Sequence, residues 1–142
     1  MRARLLVGLT LVVALGCGGK RLAPVSGTVT LNGQPLANAT VNFQPIAAPG
    51  SIDAGIGSQA KTNDKGEFTL TTSTGENGAV VGKHRVMISL LSEQVGDSDT
   101  RPPRGGWPLA DKVPKRYNSE SQETFEVPSG GTNKADFALT SP

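Results

Sequence analysis

Over long stretches of this chain polar and apolar positions alternate one by one, the period of a strand with one buried face. Val25, Gly27, Val29 and Leu31 alternate with Ser26, Thr28 and Thr30, and Ala39, Val41 and Phe43 alternate with Thr40, Asn42 and Gln44. Between the two runs, Asn32-Gly33 supplies residues that tolerate positive φ, as a tight hairpin turn requires. Pro45 ends the second run, and residues 46–58, rich in Gly, Ala, Ser and Pro, read as a loop. Asn63-Asp64-Lys65-Gly66 predicts a second turn, after which Phe68 and Leu70 face the core and Glu67, Thr69 and Thr71 face outward. In the strand predicted over residues 80–91, His84, Val86, Ile88 and Leu90 share one face, with Met87 and Leu91 on the other. That pattern suits a central strand partly covered on its second side. Residues 92–113 form the longest irregular stretch, and strands around residues 122–127 and 135–139 close the chain about Ser129-Gly130-Gly131. The count is seven strands, or eight if residues 115–118 add one, with no crossover helix. The expected fold is therefore an all-β, seven- to eight-stranded antiparallel β-sandwich. Its core is expected to hold Val29, Val41, Phe43, Phe68, Val86, Ile88, Phe125, Phe137 and Leu139.

The first residues break this pattern. Arg2 and Arg4 precede an apolar run over residues 5–15 that ends at Gly16-Cys17, the layout of a secretory signal. As a helix the run would measure about 16 Å at ~1.5 Å per residue, too short for a bilayer core of about 30 Å. Ala14-Leu15-Gly16-Cys17 resembles the lipobox of bacterial lipoproteins, in which the cysteine becomes the lipid-bearing first residue after cleavage. Position −3 of that motif is most often Leu and here is Ala14; Gly16 at −1 fits. The resemblance implies a signal peptide over residues 1–16 and a lipidated tether over residues 17–24, anchored through two or three acyl chains on Cys17. Two or more chains hold a protein firmly where one holds it marginally. The alternative is ordinary secretion with an unmodified Cys17. The expected location is a bacterial cell envelope, with the domain outside the cytoplasm. Gly18, standing where an inner-membrane retention signal often has Asp, leans the expectation to the outer membrane.

Composition narrows the function classes. Cys17 is the single cysteine, so no intrachain disulfide forms. Cleavage before it leaves 126 residues, enough for one domain with one core. Arg2 and Arg4 leave with the signal, and twelve cations then balance twelve Asp and Glu. No basic stripe remains for nucleic acid.

The run GTVTLNGQPLANATV resembles the opening of carboxypeptidase regulatory-like domains, members of the transthyretin-like (prealbumin-like) sandwiches. Gly27, Val29, Gly33, Pro35, Leu36, Ala39 and Val41 match its Gly-x-Val, Gly-x-Pro-Leu and Ala-x-Val elements. TNDKGEF, residues 62–68, resembles that family's second block, and GKHRVMI from Gly82 its third, with His84 where Tyr is usual. The resemblance spans roughly residues 25–91 and implies a domain over residues 25–142. Its motifs are structural punctuation and carry little about function.

Candidate chemistry is sparse. His84, the only histidine, has no triad or zinc partner marked by spacing, so a packed structural imidazole is expected over a chemical one. Asp97 and Asp99 offer oxygen ligands for calcium but lack the carboxylate number and spacing of a calcium loop, and read as solvated acids. Two enzyme families on related sandwiches fail on residue inventory. Hydroxyisourate hydrolases use several histidines and a Tyr-Arg-Gly-Ser-type ending, and intradiol dioxygenases hold iron with two Tyr and two His; this chain has Tyr117 and His84 alone. No catalytic residue, metal or cofactor is assigned. Arg101, Arg104, Lys112, Lys115 and Arg116 make residues 101–116 locally basic, either touching anionic head groups or balancing Glu93, Asp97 and Asp99. Trp107 is either a lid on the core or an exposed anchor. Arg101, Arg104 and Trp107 are the candidate ligand-binding residues. The leading expectation is a non-enzymatic, lipid-anchored envelope module with a structural or interaction role. Its partners are the membrane, through Cys17, and an envelope protein or glycan. The alternatives are a carbohydrate- or peptide-binding module using residues 92–116 and, further back, an unrecognised hydrolase.

Overall fold

The computed structural model describes residues 20–93 and 109–142. The seven principal predicted strands have counterparts, and shorter strands join them. In chain order they are β1 (Leu22–Ala23), β2 (Ser26–Leu31), β3 (Gln34–Pro35), β4 (Thr40–Pro45), β5 (Ser58–Lys61), β6 (Glu67–Thr69) and β7 (Thr71–Thr72). There follow β8 (Ala79–Val80), β9 (Gly82–Ser89), β10 (Leu91–Glu93), β11 (Leu109–Asp111), β12 (Thr124–Val127) and β13 (Phe137–Leu139). One sheet has the order β12-β9-β4-β5-β7; a second has β13-β2-β3, with β6 also paired to β2. The pairs β1-β8 and β10-β11 form two small ribbons. The fold is all-β, consistent with a β-sandwich.

The alternating code operates as expected. In β4 the residues Val41, Phe43 and Pro45 are buried, while Thr40, Asn42 and Gln44 are not. In β9 burial falls on His84, Val86 and Ile88. Four phenylalanines knit the two larger sheets together. Phe43 and Phe125, from the five-stranded sheet, lie edge-on to Phe137 of the other at 6.0 Å between centroids, and Phe137 stacks on Phe68 at 6.3 Å. Phe43 and Phe68 are buried outright, whereas Phe125 and Phe137 are only partly covered.

Local chemistry sets the turns. Asn32 and Gly33 both take positive φ, 52° and 81°, directly after Leu31 and before its pairing partner Gln34. This is the two-residue hairpin that Asn-Gly favours. At the second turn, the Asn63 side-chain oxygen accepts the backbone N–H groups of Lys65 and Glu67, both at 2.9 Å. Thr62, buried, accepts the Ala39 N–H at 2.9 Å and donates to the Leu36 carbonyl at 2.6 Å, tying this turn to the start of β4. Gly27 answers a different need. A Cβ there would sit 2.0 Å from the Ala135 carbonyl oxygen, so only glycine lets the two backbones approach.

Four features depart from the sequence expectation. β13 runs parallel to β2, with Phe137 beside Val29, so the pairing is not wholly antiparallel. Residues 115–118 do not add a strand: Lys115–Tyr117 forms a 3-10 turn following Pro114, whose fixed φ suits the position before a helical turn. Residues 22–23, read as tether, form β1 and pair with β8, and Ala23 is buried. The irregular stretch over residues 92–113 begins and ends in an antiparallel ribbon, β10 with β11, and Val113 belongs to the core.

Candidate functional site

His84 lies on β9 between Pro45 of β4 and Phe125 of β12, its cross-strand neighbours. The ring is wholly buried, 5.7 Å from the Phe43 ring. Nδ1 stands 3.0 Å from the Gly82 carbonyl oxygen. A carbonyl only accepts, so Nδ1 carries the proton and Nε2 holds the lone pair. Nε2 is buried and has no partner among the described residues. Burial lowers the imidazole pKa below its usual value, against a smaller upward pull from the Gly82 carbonyl and from Glu126. The ring is therefore neutral at neutral pH, packed against Phe43 and bordering the cavity at this end of the sheet.

Beside His84, at the end of the sheet where β9 begins, is a cavity of about 460 Å³ rimmed by Lys20, Ile46, Lys83 and Glu126. A second hollow, about 340 Å³, opens on the outer face of the five-stranded sheet. Asn42, Gln44, Gln59 and Met87 line it, and register sets them on one face with further polar neighbours. Met87, Asn42, Gln59 and Thr71 lie side by side across four strands, and Arg85 faces Gln44 in the next row. Polar-out alternation thus aligns amides, hydroxyls and one guanidinium on one side of a sheet, with the Met87 thioether among them.

The sequence-predicted site residues Cys17, Arg101, Arg104 and Trp107 lie outside the described residues, as do Asp97 and Asp99. The stem carrying residues 94–108 is described. Asp111 organises its base: one carboxylate oxygen accepts the N–H groups of Leu90 and Val113, each at 2.9 Å, and the other accepts Asn118 Nδ2 at 2.9 Å. Arg116, counted above in the basic stretch, is engaged by the fold. It donates to the Thr140 carbonyl and hydroxyl and stacks over the Tyr117 ring. Sequence reasoning passed over Asp111, although an acid a few residues before Pro114 in a turn-rich stretch is a side chain suited to capping backbone N–H groups.

The ends of β9 separate two surfaces. At its start, the Val81 N–H donates to the Arg21 carbonyl at 2.8 Å, so the N-terminal segment comes in here. At its finish, Leu90 binds Asp111 and the ribbon begins. The seven steps of about 3.3 Å along the eight residues of β9 put roughly 23 Å between the two.

No family model, curated protein or solved structure matches this chain. Among the described residues, no three side chains of the His, Cys, Asp or Glu types converge as a metal site, and no helix is long and apolar enough to cross a membrane. What the geometry offers is binding chemistry: an amide-lined sheet face, and a ribbon at the end opposite the incoming chain.

Proposed function

We propose that this chain is a lipid-anchored module of a bacterial cell envelope, non-enzymatic, with a structural or interaction role. Its domain is a transthyretin-like sandwich of the carboxypeptidase regulatory-like kind, held outside the cytoplasm by acyl chains on Cys17, and the outer membrane is its favoured location. The observation that carries this reading is the apolar run over residues 5–15 closing on Ala14-Leu15-Gly16-Cys17, three residues before the folded Lys20. The four-phenylalanine contact between two sheets supports the sandwich, and the buried, neutral His84 supports a role without catalysis. Partner contact is assigned to residues 92–116, with Arg101, Arg104 and Trp107 as its recognition groups, because the ribbon stem leaves from the end away from the anchor.

Mass spectrometry of the mature N-terminal peptide tests the anchor. A lipid-modified Cys17 is expected, together with loss of membrane retention in Cys17→Ala. An unmodified peptide beginning elsewhere ends the reading.

A second reading has its own support. The row of Asn42 and Gln59 amides beside Met87, with Gln44 and Arg85 adjoining, suits the hydroxyls of a glycan or the backbone of a peptide. Glycan-array binding that vanishes in Asn42→Ala/Gln59→Ala, and survives replacement of Arg101, Arg104 and Trp107, would favour this sheet face over the loop.

A further inference from the structure

Among the described residues three large aliphatic side chains stand exposed, Ile46, Ile52 and Leu91, and the first two share one loop. Ile52 is fully exposed, at 105%, and Ile46 is 43% exposed. Both belong to the loop joining β4 to β5, whose other residues are small or proline apart from Asp53 and half-buried Ile56. That loop is tied to the incoming chain. Lys20 Nζ donates to the Asp53 carbonyl, and the Ile46 N–H donates to the Lys83 carbonyl at 2.8 Å. Lys20 and Lys83 rim the same cavity as Ile46. At this end the exposed cations Lys20, Arg21 and Lys83 outnumber Asp53 and Glu126.

Only Gly18 and Gly19 separate Lys20 from Cys17, three steps that reach about 10 Å when fully extended. If acyl chains on Cys17 are buried in a bilayer, this end of the domain is held within about one Debye length, ~8–10 Å, of the head groups. No long tether lets it turn away, because β1 is already paired to β8.

We propose that this end, with Ile46 and Ile52 as apolar contacts and Lys20, Arg21 and Lys83 as cations, is a seat on the surface of a phospholipid bilayer. The aliphatics enter the boundary between head groups and acyl chains, and the cations meet anionic phosphates. The proposal rests on the lipid-anchor reading given above and adds an orientation to it. β9 points away from the membrane, and Leu91, 58% exposed at its far end, faces the aqueous phase.

The lone native cysteine makes the test clean, since acylation at Cys17 consumes its thiol and leaves any introduced cysteine unique. Ile52→Cys and Leu91→Cys would each be produced as the full chain and processed in cells. They would then be reconstituted in vesicles of phosphatidylethanolamine and phosphatidylglycerol and given a nitroxide label. The expected result is oxygen accessibility several-fold higher at position 52 than at position 91, with the reverse order for a water-soluble nickel chelate. Equal water exposure of the two labels, with Cys17 lipidated by mass spectrometry of the same sample, overturns the seat and leaves the anchor standing. Dipolar broadening between labels at position 52 that is independent of lipid would mean that a second copy covers the loop, and overturns the seat as well. An unmodified Cys17 in that sample overturns the anchor and removes the ground for the seat.

Discussion

Replacing His84 by Phe tests whether the buried imidazole is a packing group carrying a polar penalty. Nε2 is an acceptor with no partner among the described residues, buried beside Phe43. A buried unmade hydrogen bond costs about 1–3 kcal/mol, and the Nδ1–H bond to the Gly82 carbonyl returns about 0.5–1.5 kcal/mol. Removing both should leave His84→Phe between about 0.5 kcal/mol less stable and about 2.5 kcal/mol more stable at pH 7.5. Acidification widens the gap. The folded pKa is lowered, chiefly by burial, so as pH falls through about 6.5 the unfolded chain binds a proton that the folded chain refuses. Stability of the wild type therefore declines with acid by at most about 1.4 kcal/mol per pH unit from this group, until the folded imidazole titrates too. The phenylalanine variant lacks that loss, and carboxylate titration cancels in the difference. Thermal melts of the two proteins at half-unit steps from pH 7.5 to 5 should diverge, by roughly 4 °C for each kcal/mol. Parallel curves would refute the argument, since they would mean that His84 binds protons as readily in the fold as outside it.

Phe43→Ala should cost about 3–5 kcal/mol and come close to unfolding the domain, with Phe68→Ala alongside it, while half-covered Phe137→Ala should cost measurably less; urea denaturation orders the three. Gly27→Ala drives a Cβ against the Ala135 carbonyl and should lower the melting temperature by more than an alanine at exposed Gly130, where a Cβ meets nothing. The triple replacement of Arg101, Arg104 and Trp107 by Ala should leave the melting temperature close to that of the wild type while abolishing capture of an envelope partner. An early melt would instead make Trp107 a core lid.

What could be read from the sequence was whatever alternation and turn chemistry encode. Val29, Val41 and Phe43 face inward because neighbours one residue away are polar, and Asn32-Gly33 turns through positive φ while the Asn63 side chain gathers the next turn. The parallel docking of β13 was not legible, because Phe137 and Leu139 carry the same alternation whichever way the strand runs. The 3-10 turn at Lys115–Tyr117 escaped for a related reason: three residues are too few to show a period. The amide row on the outer sheet face depends on register. Asn42 opposite Gln59 and Met87 is a fact of pairing between segments far apart in sequence, which no local pattern holds. Asp111 drew no reading from the sequence, and only the partners it gathers reveal its function as a clamp.

The parallel pair of β13 and β2 also dictates when this protein can fold. Phe137 meets Val29 across more than a hundred intervening residues, Asp136 accepts the Thr28 N–H at 2.9 Å, and Ser141 binds Asn32. Closing a loop of that length costs about 4 kcal/mol in chain entropy, and nothing local repays it until the final strand arrives. The first long strand thus waits for the last, which gives slow, high-contact-order folding. While most of the chain is out and its end is still in transit, β2 lacks one flank and the core lacks Phe137 and Leu139. For a polypeptide proposed to cross a membrane before it folds, that delay keeps the chain extended enough to be threaded and lets it close only once the whole length has emerged.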